Sequence, residues 1–93
     1  MAILSFKCKY TKMLFEGKTV ARFANFRTIA ERKLQLLDSA DTLPFLRSPG
    51  GNHLEALSGE RKGEHSIRIN DQFRICFVWA KNGPENVEIV DYH

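Results

Sequence analysis

The sequence predicts an α+β domain, ordered β-α-α-β-β-β, in which two helices pack on one face of a mostly antiparallel sheet of about four strands. Three observations carry this. Apolar residues recur at helical spacing twice in the first half of the chain, within 10–14 and 26–40. The second half carries strand patterns at 65–70, 73–80 and 86–92, the middle one almost wholly apolar. Turn chemistry at Asn70-Asp71 and Asn82-Gly83-Pro84 separates those runs, so neighbouring strands should join as an antiparallel meander. A chain of 93 residues has room for one core, so residues 1–93 read as a single domain.

Ile3–Lys7 reads as a short first strand. Tyr10, Met13 and Leu14 then form one helix face within 9–16, which Gly17 can close as a left-handed cap. Asn25 is placed to cap a second helix over 25–40, whose apolar face is Phe26, Ile29, Ala30, Leu34, Leu37 and Ala40. Its other face, with Arg27, Glu31, Arg32, Lys33 and Gln35, reads as solvated. Residues 47–52, with one Pro and two Gly, form a loop. A basic turn at Gly59–Gly63 precedes the meander.

Composition excludes several classes. The formal charge of +3 weakly favours a polyanionic partner. The longest apolar run, Ile75–Ala80, is six residues, far below the roughly 20 that cross a bilayer. The first residues lack the basic and apolar regions of a signal peptide, which places the expected residence in the cytoplasm. Cys8 and Cys76 stand far apart in strand-like runs without metal-ligand spacing and read as reduced structural thiols. Phosphate-binding glycine loops, zinc-hydrolase helices and nucleophile elbows are absent, so no nucleotide cofactor or metal is expected.

The remaining chemistry lies in residues 61–93. Alternation puts Ile67 and Ile69 on one face and Ser66, Arg68 and Asn70 on the other, with Arg68 pointing away from the helices. Phe73, Ile75, Phe77 and Trp79 share the apolar face, opposite Arg74, Cys76 and Val78. A lone arginine on such a face commonly makes a surface ion pair. Two on adjoining strands also suit phosphate, because a guanidinium offers paired donors to its oxygens. Asp91, Tyr92 and His93 place an acid, a phenol and an imidazole in succession, either as a proton-handling group or as a polar tail with Tyr92 half in the core. Strict alternation gives Asp91 and His93 one face and Tyr92 the other. His53 reads as a loop histidine, and His65 as facing outward ahead of Ser66.

Residues 54–77, Leu-Glu-Ala-Leu-Ser-Gly-Glu-Arg-Lys-Gly-Glu-His-Ser-Ile-Arg-Ile-Asn-Asp-Gln-Phe-Arg-Ile-Cys-Phe, together with Val87-Glu-Ile-Val-Asp-Tyr-His93, resemble the HigB-like branch of the RelE/ParE toxins. The likeness runs through essentially the whole chain. It implies a type II toxin that cleaves mRNA in the ribosomal A site without a metal or other cofactor. It implies a HigA-like helix-turn-helix antitoxin as partner, with operator DNA met only through that complex. Carried over by position, the catalytic group falls on Arg74, Asp91, Tyr92 and His93. Arg61, Lys62, His65 and Arg68 would hold RNA or the ribosome. Better-known members have a histidine where this chain has Glu55, which leaves base and acid open. A ParE-like gyrase inhibitor and a non-catalytic RNA- or protein-binding module are the competing expectations.

Overall fold

The computed structural model describes residues 2–47 and 52–91. Two helices, α1 (Lys9–Phe15) and α2 (Arg27–Ser39), precede four strands, β1 (Glu55–Ala56), β2 (His65–Arg68), β3 (Phe73–Ala80) and β4 (Gly83–Asp91). The strands form one antiparallel sheet in the order β1-β2-β3-β4, as an α+β fold requires. Among the described residues no helix is long and apolar enough to cross a membrane.

Gly17 closes α1 as its sequence position predicts. At φ +89° it sits in the left-handed region, its N–H donates to Leu14 O at 3.0 Å, and Lys18 N–H reaches Met13 O at 2.9 Å. The second helix departs from expectation. Residues Ala21–Phe26 coil as a 3-10 helix, the α-helix begins at Arg27, and Asn25 is exposed and makes no cap. Phe23 and Phe26 are both buried with ring centroids 5.7 Å apart, and their three-residue spacing suits the tighter 3-10 repeat. Ile29 is 37% exposed, so the core stripe of α2 narrows to Ala30, Leu34 and Leu37.

That stripe packs with Leu14, Phe23, Phe26 and Leu46 against Ile67, Ile75, Phe77, Val87 and Ile89 of the sheet. Each fully buried Leu or Ile stabilises the fold by roughly 1.5–3 kcal/mol relative to an exposed one. A polar clamp runs through this core: fully buried Thr11 offers Oγ1 to Ile89 N–H at 3.0 Å.

The expected first strand is reduced to one parallel bridge, Phe6 to Val87. Leu4 N–H donates to Pro84 O at 2.8 Å, Val87 N–H to Ser5 O at 3.1 Å and Lys7 N–H to Val87 O at 3.0 Å. Pro84 has no N–H, and the β3–β4 register shifts between Cys76 and Val78 opposite Asn86, which takes φ +53° and donates its N–H to Ser5 Oγ. A regular ladder cannot continue across that edge. The fourth strand is supplied instead by β1, whose Glu55 and Ala56 pair with Ser66 and His65. β4 also starts earlier than expected, at Gly83, because Ala80 and Gly83 pair directly around Lys81-Asn82.

The β2–β3 turn forms as its chemistry predicts. Asn70 Oδ1 accepts from Gln72 N–H at 2.9 Å and Phe73 N–H at 2.8 Å, a side-chain-closed turn that fixes the register Ile67–Ile75 and Arg68–Arg74.

Candidate active site

With Ile75 and Phe77 facing the helices, alternation turns Arg74 and Cys76 to the outer face of the sheet. The neighbours there are Ser66 and Arg68 on β2, Glu55 on β1, and Glu88 and Val90 on β4. Arg74 is 8% exposed, and its charge is held by a built cradle. Nε donates to Ser66 Oγ at 2.7 Å, and Nη2 donates to His53 O at 2.5 Å and to Ser66 O at 3.4 Å. Glu55 Oε2 lies 3.9 Å from Nη2 and is half exposed. The result is a buried guanidinium beside a solvent-accessible carboxylate, the polarity that binding and deprotonating a phosphodiester's ribose would need.

A second ionic group sits farther along the same face. Arg61, at the end of a 3-10 turn, donates Nη1 to Glu64 at 3.1 Å and to Glu88 at 3.0 Å, and Lys7 stands 3.8 Å from Glu88. Burial pulls the Arg61 pKa down, yet the Glu88 hydrogen bond and the nearby acids outweigh it and the value is raised. Cys76 lies among these charges and is fully buried, and burial pushes its thiol up to about 11, which rules it out as a nucleophile near neutrality.

The other sequence candidates are dispersed. Arg68 pairs with exposed Asp71, while Lys62 is exposed. His65 corrects the outward reading: it shares the core-facing parity of Ile67, stacks on Phe77 at 6.3 Å, and has Nδ1 buried without a hydrogen-bond partner. Asp91 pairs in register with Phe73, so it falls on the helix-facing parity rather than that of Arg74, at the exposed end of the sheet where Gln72 Nε2 donates to it at 2.8 Å. Tyr92 and His93 lie outside the described residues. Among the described residues no group of three His, Cys, Asp or Glu is arranged to hold a metal.

Sequence reasoning missed Ser66 and the His53 carbonyl as anchors of Arg74. Counting pairs back from the Asn70 turn sets Ser66 opposite Cys76 and thus diagonal to Arg74, a signal available in the sequence. The His53 carbonyl depends on a residue at φ +45° in an irregular loop, for which no comparable signal exists.

The profile of the HigB-like toxins, the RelE-like toxins of type II toxin-antitoxin systems, matches residues 4–93. The chain belongs to that family. The HigB-like assignment is supported by Toxin HigB-1 of Vibrio cholerae serotype O1, 38% identical over 79 residues that cover 83% of each chain. An uncharacterized protein of Haemophilus influenzae is 33% identical over 64 residues, covering 69% of this chain and 63% of its own. As a type II HigB-like toxin, the protein has an antitoxin as its partner.

Proposed function

We propose that this HigB-like toxin is a ribosome-dependent mRNA endonuclease, neutralised by a HigA-like antitoxin, with the outer sheet face around Arg74 as its active surface. The observation that supports this best is the cradle itself: Ser66 and the His53 carbonyl orient a buried guanidinium beside the Glu55 carboxylate. RNA carries its own nucleophile, so the reaction needs only positioned charge and two proton transfers. Glu55 takes the proton of the ribose 2′-OH, and the freed oxygen attacks the adjacent phosphorus. Arg74 stabilises the negative charge gathered on the phosphorane. The bond to the 5′ oxygen breaks as that oxygen accepts a proton from His93, supported by Tyr92, while Asp91, on the helix-facing parity, anchors the end of β4 through Gln72. The products are a 2′,3′-cyclic phosphate and a 5′-hydroxyl. Lys62 and Arg68 contact the RNA backbone, while Arg61 serves chiefly to brace the basic turn against Glu88.

Primer extension on a defined mRNA in a purified translation system tests this. The wild-type protein should cut within the reading frame only when ribosomes are present. Arg74→Ala should lower cleavage by about 10²–10³-fold, with Arg74→Lys little better because an ammonium lacks the paired donors. Glu55→Gln should lower it by about 10²–10⁴-fold. Intact mRNA with folded wild-type protein would overturn the reading and favour inhibition of DNA gyrase, which a supercoiling assay reads directly.

A further inference from the structure

Lys33 departs from the solvated face of α2 on which its neighbours lie. Arg32 and Gln35 are exposed, whereas Lys33 is half-buried and donates Nζ to Asn52 Oδ1. Burial, then the charges of Arg32 and of Arg68 on β2, lower its pKa, so the ammonium is held where its surroundings oppose it. A long cationic side chain on a helix ordinarily turns its head to water. Here it turns inward to a buried amide.

Asn52 is fully buried, and both ends of its amide are engaged: Oδ1 accepts from Lys33, and Nδ2 donates to Leu46 O at 3.1 Å. α2 and the 3-10 turn Leu43–Arg47 thereby grip the chain immediately before His53. His53 takes φ +45°, a left-handed conformation that a residue with a Cβ keeps only where its surroundings impose it. Its carbonyl accepts Nη2 of Arg74 at 2.5 Å. The other anchor of that guanidinium, Ser66, sits in the β2–β3 ladder and is fixed by register. The His53 carbonyl lies in an irregular loop, so its position depends on the grip on Asn52.

We infer that Lys33 is a positioning residue for RNA cleavage: acting through Asn52 and the His53 carbonyl, it sets the plane in which the Arg74 guanidinium meets the reacting phosphate. The inference rests on the nuclease reading above, and it gives the helix layer a part in the chemistry of the opposite face of the sheet. Without the Lys33 ammonium, Asn52 Oδ1 is left buried without that donor, which the amide relieves by turning or by admitting water. Either movement shifts the backbone at His53 and swings one end of the guanidinium while Ser66 holds the other. A displacement of about 1 Å at a catalytic group lowers a rate by about 10²-fold.

Single-turnover cleavage of mRNA on purified ribosomes, measured across toxin concentrations, tests this together with the Arg74 Nε–H resonance of the 15N-labelled protein. Lys33→Met should keep its fold by circular dichroism, lower the rate at saturating toxin by about 10- to 100-fold and leave the half-saturating concentration unchanged. Its Arg74 Nε–H resonance should shift and exchange faster with solvent. Lys33→Arg, which keeps a donor, should restore both readouts. In the Arg74→Ala background Lys33→Met should have no further effect on cleavage, because the two act in series. An unchanged saturating rate in Lys33→Met overturns the inference, and a raised half-saturating concentration alone makes Lys33 an RNA contact instead. Equal slowing with and without Arg74, or an unmoved Nε–H resonance, overturns it too. If wild type cuts no mRNA, the nuclease reading itself has failed, and the Nε–H resonance decides the link from Lys33 to Arg74 on its own.

Discussion

The Cys76 thiol has no solvent contact and lies within reach of the charges on Arg61, Glu64 and Glu88, and burial holds its pKa at about 11 against an ordinary value of 9.0. In native protein at pH 8, N-ethylmaleimide should therefore label half-exposed Cys8 first, with the second adduct appearing on unfolding, as mass spectrometry would record. The same shift bears on stability. Between about pH 9 and 11 the unfolded chain has released this proton and the folded chain still holds it, so stability falls as pH rises through that window. Denaturant titrations at pH 8 and 11 should show a fall about 1–2 kcal/mol smaller in Cys76→Ala. At this scale the outward direction of Arg74 was legible, because strict alternation with Ile75 and Phe77 leaves one choice. The parity of His65 was not. A polar residue at the start of a strand reads as outward-facing, whereas here the imidazole takes the core-facing parity set by the register with Phe77, stacks on that ring and leaves Nδ1 without a partner.

Elements were legible where a single residue fixes the backbone. The Gly17 cap and the Asn70 turn formed at their expected places because each supplies a local conformation or acceptor that few other residues can. Boundaries set by packing were not legible: the buried pair Phe23 and Phe26 draws Ala21–Phe26 into a 3-10 coil that helical periodicity alone would have merged with α2. The edge beside β4 was equally hidden, since it depends on Pro84, the bulge at Asn86 and close approach at Gly83. Gly83 has φ +145°, and an added Cβ would stand 2.4 Å from Ala2 O. Gly83→Ala should therefore destabilise by about 1–3 kcal/mol and loosen residues 2–7, seen as faster amide exchange at Leu4 and Lys7. Asn86, at φ +53°, should tolerate Gly with little change, whereas Asn86→Val should lower stability by about 1–2 kcal/mol in thermal unfolding.

Across the whole molecule the helix layer and the sheet are joined by apolar contact and by polar ties that composition does not reveal. Thr11 holds Ile89 N–H from α1, and Asp38 on α2 accepts from Ile3 N–H at 2.9 Å. Thr11→Val keeps the volume but leaves the Ile89 N–H buried and unpaired, so it should cost about 1–3 kcal/mol in denaturant titration, with cleavage retained below the new transition. The α+β class was legible because two helical repeats and three strand-like runs separated by turn residues admit few other arrangements. The cradle of Arg74 was legible only in part, since it joins β1, β2, β3 and the His53 loop, and such convergence is set by register rather than by neighbours in sequence.

The tie between Ser5 and Asn86 spans 81 positions, and that between Thr11 and Ile89 spans 78. Contacts of such separation carry the largest loop-closure entropy and lower the folding rate. During synthesis the segment bearing Lys7 and Lys9 emerges early and must wait for Val87 and Ile89 to be made before it can dock. A nascent chain in which β4 has not yet been made lacks the neighbours that complete the sheet around Arg74. The order of synthesis therefore holds back the finished outer face until β4 has followed the other strands.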